Sequence, residues 1–342
     1  MILALDGFGS DNAPYPEVEG AVIALKENYC DKLYITGDKS RLTKEFAKYY
    51  FDENRLVIIH AEDVVAMDES ASIAAKSRRE SSLAKAIQLH QDGKADAVVS
   101  AGNTGAMMAT SLLTYGRIKK IKRPAICMTL PTTGKPTVIL DVGANVDCTP
   151  EHLVQFAKLG SLFARFFHKV ESPKLALLNI GEESGKGNEL VKTTYQLLKG
   201  RTDLNFIGNI EGKQALSGEV DVIVCDGFVG NVMLKTVEGV AITIMRMMKQ
   251  QIKKDWIAKI GALLSFPVFQ YLRKKLDHSE HGGALLIGLN GYSVIAHGSS
   301  NAKAIKNAIG LAARIADSGF LEHAQEFYSD SKAIKQPEEV SL

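Results

Sequence analysis

Short apolar runs, glycine-rich polar loops and amphipathic helices follow one another repeatedly along this chain. The clearest example begins at Leu175, where four apolar residues precede a loop with three glycines and a helical periodicity from Asn188 onward. Strands that alternate with helices in this way predict an α/β fold with a mostly parallel sheet. Ligands in such sheets bind beyond the carboxyl ends of the strands, so the polar loops are the candidate site.

The loop that follows Leu178 has the composition of an anion site. Its glycines let the backbone approach a ligand, and the start of the next helix offers free N–H groups and a partial positive charge. We predict that four residues of this loop bind a small anion: Gly185, Lys186, Gly187 and Asn188. A nucleotide P-loop is excluded because no hydroxyl residue follows the lysine. The alternative is an ordinary helix start, capped by Asn188.

Two more loops place glycines and amides where a helix begins. The first contributes four candidate ligands of phosphate oxygens, which are Gly102, Asn103, Thr104 and Gly105. In the second, Asp226 can orient a donor or accept a proton, and Asn231 can donate to a carbonyl oxygen. For both loops the alternative is helix capping, by Asn103 or Thr104 in the first and by Asn231 in the second.

Two other polar segments add candidate groups. His297 offers a general acid or base at a helix start, next to the hydroxyls of Ser299 and Ser300. A structural hydrogen bond is the alternative for this histidine. The segment 141–147 carries two carboxylates and Asn145, and we favour hydrogen bonding to loops or to substrate over a metal site there.

A coarse assignment follows from these periodicities. We predict strands at 2–5, 33–36, 56–59, 97–100, 125–130, 137–140, 175–178, 204–207, 220–225 and 292–296. We predict helices from about 16 and over 40–50, 81–91, 104–115, 150–167, 188–199, 231–250 and 301–316, and an irregular segment at 62–72. The strands 125–130 and 137–140 form an antiparallel pair across a proline- and glycine-containing turn. Each polar loop follows a strand, so we expect several of them to converge on one crevice.

Composition limits the class of protein. The chain has 342 residues, 46% of them hydrophobic and 23% charged, which is typical of a globular protein with a sizeable core. A net charge of +2 gives no general attraction for nucleic acid. The four cysteines lack metal or disulfide spacing and are expected to be reduced. We expect neither a signal peptide nor a transmembrane helix, and a cytoplasmic protein.

The length fits two domains or one large α/β unit. We expect residues 1–330 to form a single catalytic domain, at most two intertwined subdomains. Residues 251–280 form a protruding amphipathic helical segment, and 331–342 form a polar tail.

An apolar segment from Trp256 to Leu276 is flanked by basic residues, which are Lys253, Lys254, Arg273, Lys274 and Lys275. Pro267 is expected to split it into two short helices. Aromatic and aliphatic residues with basic ends suit contact with a membrane surface or an acidic protein. The predicted membrane contacts are Trp256, Ile260, Leu263, Leu264, Phe266 and Phe269. The alternative is a dimer interface or a core helix pair.

A second basic feature is the connection from Arg117 to Arg123, which we call the basic connection. Its positive charge makes it a candidate docking surface for an acidic protein.

Taken in order, six loops resemble one family over nearly the whole chain. The matching motifs are Asp6 with Gly9-Ser-Asp-Asn-Ala-Pro14, Ser100-Ala-Gly-Asn-Thr-Gly-Ala106, Leu140-Asp-Val-Gly-Ala-Asn-Val-Asp147, Asn179-Ile-Gly-Glu-Glu with Lys186-Gly-Asn-Glu-Leu190, Asp226-Gly-Phe with Gly230-Asn231, and Ala296-His-Gly-Ser-Ser300. They resemble the bacterial phosphate acyltransferase family PlsX. The first loop departs from the family pattern at Gly7-Phe8-Gly9-Ser10.

This resemblance implies a three-layer α/β/α fold like that of isocitrate and isopropylmalate dehydrogenases, in a homodimer. It implies transfer of a fatty acyl group from acyl-carrier-protein thioester to inorganic phosphate, giving acyl phosphate for phospholipid synthesis, without cofactor or metal. It also implies peripheral contact with the membrane and with a membrane glycerol-3-phosphate acyltransferase. For this chemistry the candidate catalytic residues are Lys186, Asn231, Asp226 and His297.

Two other functions are compatible with the fold class. One is a nicotinamide-dependent dehydrogenase, although no clear G-x-G-x-x-G follows the first strand. The other is a non-enzymatic scaffold for a carrier protein or a membrane, which would leave the glycine loops unexplained.

Overall fold

A computed structural model of the protein describes residues 1–276, 278–280 and 282–329, and the predicted tail at 331–342 lies outside this range. Within the described residues, eleven strands form one sheet. They are β1 (Ile2–Asp6), β2 (Lys32–Gly37), β3 (Leu56–His60), β4 (Ala97–Ser100), β5 (Ala125–Leu130), β6 (Thr137–Leu140), β7 (Lys174–Asn179), β8 (Asn205–Glu211), β9 (Val222–Val224), β10 (Ala284–Ile287) and β11 (Ser293–Ile295). Their order across the sheet is β3-β2-β1-β4-β11-β10-β5-β6-β9-β7-β8.

The strand directions divide this sheet into two parallel blocks that point opposite ways. One block is β3, β2, β1, β4 and β11, and the other is β6, β9, β7 and β8. Between them, the pairs β11–β10, β10–β5 and β5–β6 are antiparallel. The prediction of a mixed, mostly parallel sheet is therefore confirmed. We call the edge where β1, β4 and β11 end the upper edge, and the edge where β6, β9 and β7 end the lower edge.

The polar loops leave the sheet at two opposite edges, although several of them line one groove, as expected. The loops after β1, β4 and β11 leave the upper edge, whereas those after β6, β9 and β7 leave the lower edge. The physical reason is the predicted antiparallel pair β5–β6, which is present and reverses the chain direction between the two blocks.

Helices cover both faces of the sheet. Those found in the described residues are α1 (Tyr15–Lys26), α2 (Lys39–Phe46), α3 (Ala71–Ser77), α4 (Ser82–Gln91), α5 (Thr104–Tyr115), α6 (Pro150–Phe167), α7 (Glu189–Lys199), α8 (Gly227–Lys254), α9 (Trp256–Leu264), α10 (Phe266–Leu276), α11 (Ala302–Asp317) and α12 (Phe320–Ser329). Leu3 and Leu5 of β1 pack in a core with α1, α6 and α11, and Ala4 between them packs in a second core with α4 and α5. Because both faces are buried, the central strands consist mainly of apolar residues.

Several elements have the bounds that the sequence predicts, among them β4, β5, β6, α5 and α6. Three elements were not predicted, which are α3, β10 and α12. α3 begins at the end of the segment expected to be irregular, and α12 begins after Gly319, which has a left-handed backbone (φ +66°). The helix expected at 40–50 ends at Phe46.

The helix α8 leaves the sheet after its first turns. Gly230 packs so tightly on the loop after β6 that a Cβ atom would lie 2.0 Å from the carbonyl oxygen of Asp141. Farther along, large apolar side chains such as Ile242, Ile244 and Met247 are exposed. By length and composition alone, α8 is a candidate for a membrane-crossing helix. The predicted helix pair α9–α10 follows, with its break at Ser265.

Candidate functional site

Three loops meet at the upper edge of the sheet. They comprise residues 7–14, 101–103 and 296–301. The backbone N–H of Asp11 donates to the carbonyl oxygen of Gly298 over 2.9 Å, which joins the first loop to the third. Gly9 joins the first to the second, because a Cβ atom there would lie 2.7 Å from the nitrogen of Gly102. This close approach requires glycine.

Two buried carboxyl groups lie beneath these loops. The hydroxyl of Ser100 donates to Asp6 over 2.8 Å and accepts from the N–H of Gly102 over 3.1 Å. Burial raises the pKa of Asp6, and its hydrogen bonds act in the opposite direction. Glu17 accepts from the N–H of Ser10 over 2.8 Å, and burial raises the pKa of Glu17 to about 7.

Asn103 holds the upper edge together. Its Oδ1 accepts from the N–H of Ala106 over 3.0 Å, so the capping alternative is confirmed for this residue. Its Nδ2 donates to the carbonyl oxygens of Ala66, Met67 and Glu69 over 2.9–3.3 Å. Asn103 therefore links the segment 66–69 to the start of α5.

His297 is oriented by its own loop. Its Nδ1 accepts from the N–H of Ser299 over 3.2 Å and lies 2.8 Å from the hydroxyl of that serine. The backbone N–H of Ser299 thus uses Nδ1 as its acceptor, which fixes the orientation of the ring.

The lower edge is organised by the carboxylate of Asp141, which is completely buried. Its Oδ1 accepts from the N–H groups of Ile126, Gly143 and Ala144 over 2.9–3.1 Å. Its Oδ2 accepts from the backbone N–H of Asn145 over 2.7 Å and from the Nδ2 of that residue over 2.8 Å. The predicted hydrogen bonding of this carboxylate to loops is confirmed.

Two predicted site residues of the lower edge have structural contacts. The Nδ2 of Asn145 also donates to the carbonyl oxygen of Pro124 over 2.7 Å, so both its amide hydrogens are bonded inside the fold. Asp226 accepts from the N–H of Val229 over 2.9 Å and caps α8.

A groove of about 570 Å³ connects the two edges along one face of the sheet. Its floor includes Ile126, Met128 and Leu130, which alternate along β5 and cover about 13 Å. One wall is α8, through Leu234, Val237 and other residues. The groove is thus apolar along its length and polar at both ends.

Seven of the predicted site residues line this groove. They are Gly102, Asn103, Thr104, Gly105, His297 and Ser300 near the upper edge, and Asn231 near the lower edge. The remaining seven do not line it, and these are Asn145, Gly185, Lys186, Gly187, Asn188, Asp226 and Ser299.

The loop that carries Lys186 leaves the lower edge. It follows β7, which pairs with β9, and paired strands lie about 5 Å apart, so the loop begins close to the start of α8. The side chain of Lys186 is exposed, and within the described residues it forms no ion pair. Asn188 accepts from the N–H of Val191 over 3.0 Å, so the capping alternative is confirmed for this residue.

Sequence reasoning missed several residues of the groove. Asp11 lines the upper end, and Lys235 and Glu238 of α8 form an ion pair of 2.9 Å on the wall. Met128 was assigned only to a strand. The alternation of the predicted strand would have placed it on one face with Ile126 and Leu130.

Comparison with known proteins identifies relatives that match nearly the whole chain. Residues 1–323 match the model of a family described as fatty acid synthesis protein. The chain belongs to this family. Among curated members, a phosphate acyltransferase of Clostridioides difficile is 46% identical over 330 residues, or 96% of each chain. A phosphate acyltransferase of Dictyoglomus turgidum is 49% identical over 317 residues, which cover 92% of this chain and 94% of the relative.

Solved structures show a similar fold at low sequence identity. A phosphotransacetylase from Streptococcus pyogenes aligns with a TM-score of 0.59 and 16% identity, covering 93% of this chain and 94% of the other. A branched-chain phosphotransacylase from Enterococcus faecalis aligns with a TM-score of 0.56 and 15% identity, covering 92% and 99%. At 15–16% identity, these two structures show only that the fold is similar.

The buried carboxyl of Glu17 predicts a pH dependence of stability. Its pKa rises from 4.5 to about 7, so between these values the folded chain keeps a proton that the unfolded chain releases. The contribution of Glu17 to the free energy of unfolding should therefore fall by about 3 kcal/mol as the pH rises from 4 to 8. Urea unfolding of Glu17→Gln should show a smaller decrease than the parent, with the exposed-site variant Glu19→Gln as control. Equal pH dependence in all three proteins would contradict this assignment.

Proposed function

We propose that this protein is a phosphate acyltransferase, which transfers a fatty acyl group from acyl-carrier-protein thioester to inorganic phosphate. The product, an acyl phosphate, would serve phospholipid synthesis. Family membership and the names of relatives at 46–49% identity support the proposal. The nicotinamide-dependent dehydrogenase alternative receives no support from these relatives. A closer likeness to isocitrate and isopropylmalate dehydrogenases stays a proposal about the fold.

The observation that carries this proposal is the long apolar groove with polar ends. A fatty acyl chain needs an extended apolar surface that excludes water, and Met128, Leu130 and Leu234 provide one. The reacting end of the substrate needs hydrogen-bond donors at a mouth of the same groove. Residues 1–330 would act as one catalytic unit because a single sheet supports both mouths.

We place the reaction at the lower mouth of the groove. At the upper mouth the carboxylate of Asp11 would repel phosphate. At the lower mouth Asn231 supplies an amide donor, and the exposed ammonium of Lys186 belongs to the loop of a neighbouring strand. The charge of Asp141 is compensated there by five N–H donors. In this arrangement His297 faces the far end of the groove.

The chemistry then requires few groups. A phosphate oxygen attacks the thioester carbonyl carbon, the C–O bond forms, and the C–S bond breaks. The proton of hydrogen phosphate ends on the leaving thiolate, so the products are acyl phosphate and free carrier thiol. Lys186 holds and orients the phosphate, and the Nδ2 of Asn231 donates to the developing oxyanion. Orientation and preorganised donors of this kind supply several kcal/mol each.

Release of free thiol from acyl-carrier-protein in the presence of phosphate tests the function. The parent should release thiol only when phosphate is present, with acyl phosphate as product. Lys186→Ala should lower kcat/KM for phosphate by about 100-fold or more, because the orienting charge is lost. Lys192→Ala, an exposed lysine of α7, is the matched control. Binding without turnover in the parent would favour the scaffold, and a fully active Lys186→Ala protein would remove this lysine from the mechanism.

The floor of the groove predicts chain-length selectivity. Met128→Trp places a larger side chain midway along the floor and should slow transfer of a hexadecanoyl group at least about tenfold more than transfer of a butanoyl group. The exposed-site variant Leu113→Trp should leave the ratio of the two rates unchanged. Equal slowing of both substrates by Met128→Trp would argue against an acyl chain in this groove.

We further propose that the protein is cytoplasmic, forms a homodimer and contacts the membrane peripherally. The exposed apolar outer half of α8 is available to a second copy of the chain. Trp256, Leu263 and Leu264 are 70–78% exposed, and Ile260 and Phe266 are also exposed, whereas Phe269 is half-buried. Basic residues such as Lys253 and Lys254 precede this segment, which suits an anionic bilayer surface and a membrane glycerol-3-phosphate acyltransferase beside it.

Flotation with liposomes tests the membrane contact. Leu263→Glu should reduce the fraction of protein that floats with anionic vesicles, because the carboxylate opposes burial in the interface and repels the lipid charge. Tyr50→Glu introduces the same charge at an exposed site elsewhere and should float like the parent. Unchanged flotation of Leu263→Glu would show that this segment is not the membrane contact.

A further inference from the structure

The basic connection (residues 117–123) forms a defined surface between α5 and β5. Arg117, Lys119, Lys120, Lys122 and Arg123 are exposed, whereas the intervening isoleucines are almost completely buried. The connection also lines a cavity of about 500 Å³ with the end of α5. Ile118 and Ile121 thus anchor a short segment that exposes five cations.

Hydrogen bonds hold the backbone of this connection in place. Gln155 of α6 accepts from the N–H of Lys122 over 2.8 Å and donates to the carbonyl oxygen of Lys120 over 2.9 Å. On the other side, Asn290 donates to the carbonyl oxygen of Arg117 over 2.8 Å. Because the backbone is fixed, little ordering of this segment is needed when a partner binds.

The cations of the connection are not neutralised by the fold. None of the five belongs to an ion pair within the part of the chain that the structure describes. Their field reaches α6, where burial and then the charges of Arg123 and Lys122 lower the pKa of His152. Glu151 of α6 is also near, since the hydrogen bond from Thr149 and then the charge of Lys122 lower its pKa. Five exposed cations beside one carboxylate still attract a partner of opposite charge.

The connection also adjoins the lower mouth of the groove. Pro124, its next residue, accepts the hydrogen bond from Asn145, whose loop lines that mouth. Ile126 of the groove floor follows Arg123 by three residues, about 10 Å of extended chain. A partner seated on the connection would therefore lie beside the mouth where the thioester reacts.

We propose that the basic connection docks an acidic helix of the acyl carrier protein and so presents the thioester to the lower mouth of the groove. This inference rests on the proposed function. Lys119 and Lys122 are the residues to test, because Lys120 has a left-handed backbone (φ +68°) that could confuse the outcome.

The experiment compares a thioester on the carrier protein with a small acyl-pantetheine thioester. For Lys119→Glu/Lys122→Glu, kcat/KM with acyl-carrier-protein should fall at least about tenfold at low salt, and the loss should shrink as salt rises. Activity with acyl-pantetheine should stay at the parent level. The control, Lys192→Glu/Lys199→Glu on α7, makes the same charge change at exposed sites and should retain activity with both substrates.

The outcomes are distinct. Unchanged kinetics with acyl-carrier-protein, or equal losses with both substrates, would overturn the docking proposal. Loss of binding to anionic vesicles with unchanged carrier kinetics would instead make the connection a lipid contact and also overturn it. Absence of acyl phosphate from the parent with either substrate would refute the proposed function itself.

Discussion

The buried carboxylate of Asp141 is the interaction on which the lower half of the site depends. Its two oxygens accept from the start of β5 and from three successive residues of the loop after β6. Gly230 of α8 packs against the backbone carbonyl oxygen of Asp141. Each buried N–H left without this acceptor would cost about 1–3 kcal/mol. The floor, the lower mouth and the α8 wall of the groove are therefore all attached to Asp141.

Opposed strand blocks explain why the groove has two different ends. If all the strands of the sheet ran in the same direction, the polar loops would lie at one edge and the helix-to-strand connections at the other. Here the β5–β6 pair reverses the chain, so each edge receives three glycine-rich loops. The apolar side chains of β5 lie between them, which separates two polar regions by the length of a strand.

Local features of the sequence were predictable because they depend on neighbouring residues. The periodicity from Thr104 to Tyr115 defined α5, and the capping roles of Asn103 and Asn188 follow from residue type and position. The grouping of distant loops was less predictable. The antiparallel pair was expected, yet periodicity does not reveal that its reversal moves Asn231 and Lys186 to the edge opposite Gly102. Side-chain partners such as Asn145 with Pro124 depend on tertiary packing, which no local pattern encodes.

The dual character of α8 has a mechanical consequence. Its 28 residues make a rod about 42 Å long, whose inner turns form a wall of the groove and whose outer turns extend away from the sheet. Because α8 is one continuous helix, a displacement of its outer turns about the close contact at Gly230 would also move Leu234 and Val237. Binding of a partner to the outer turns of α8 would therefore alter the width of the groove.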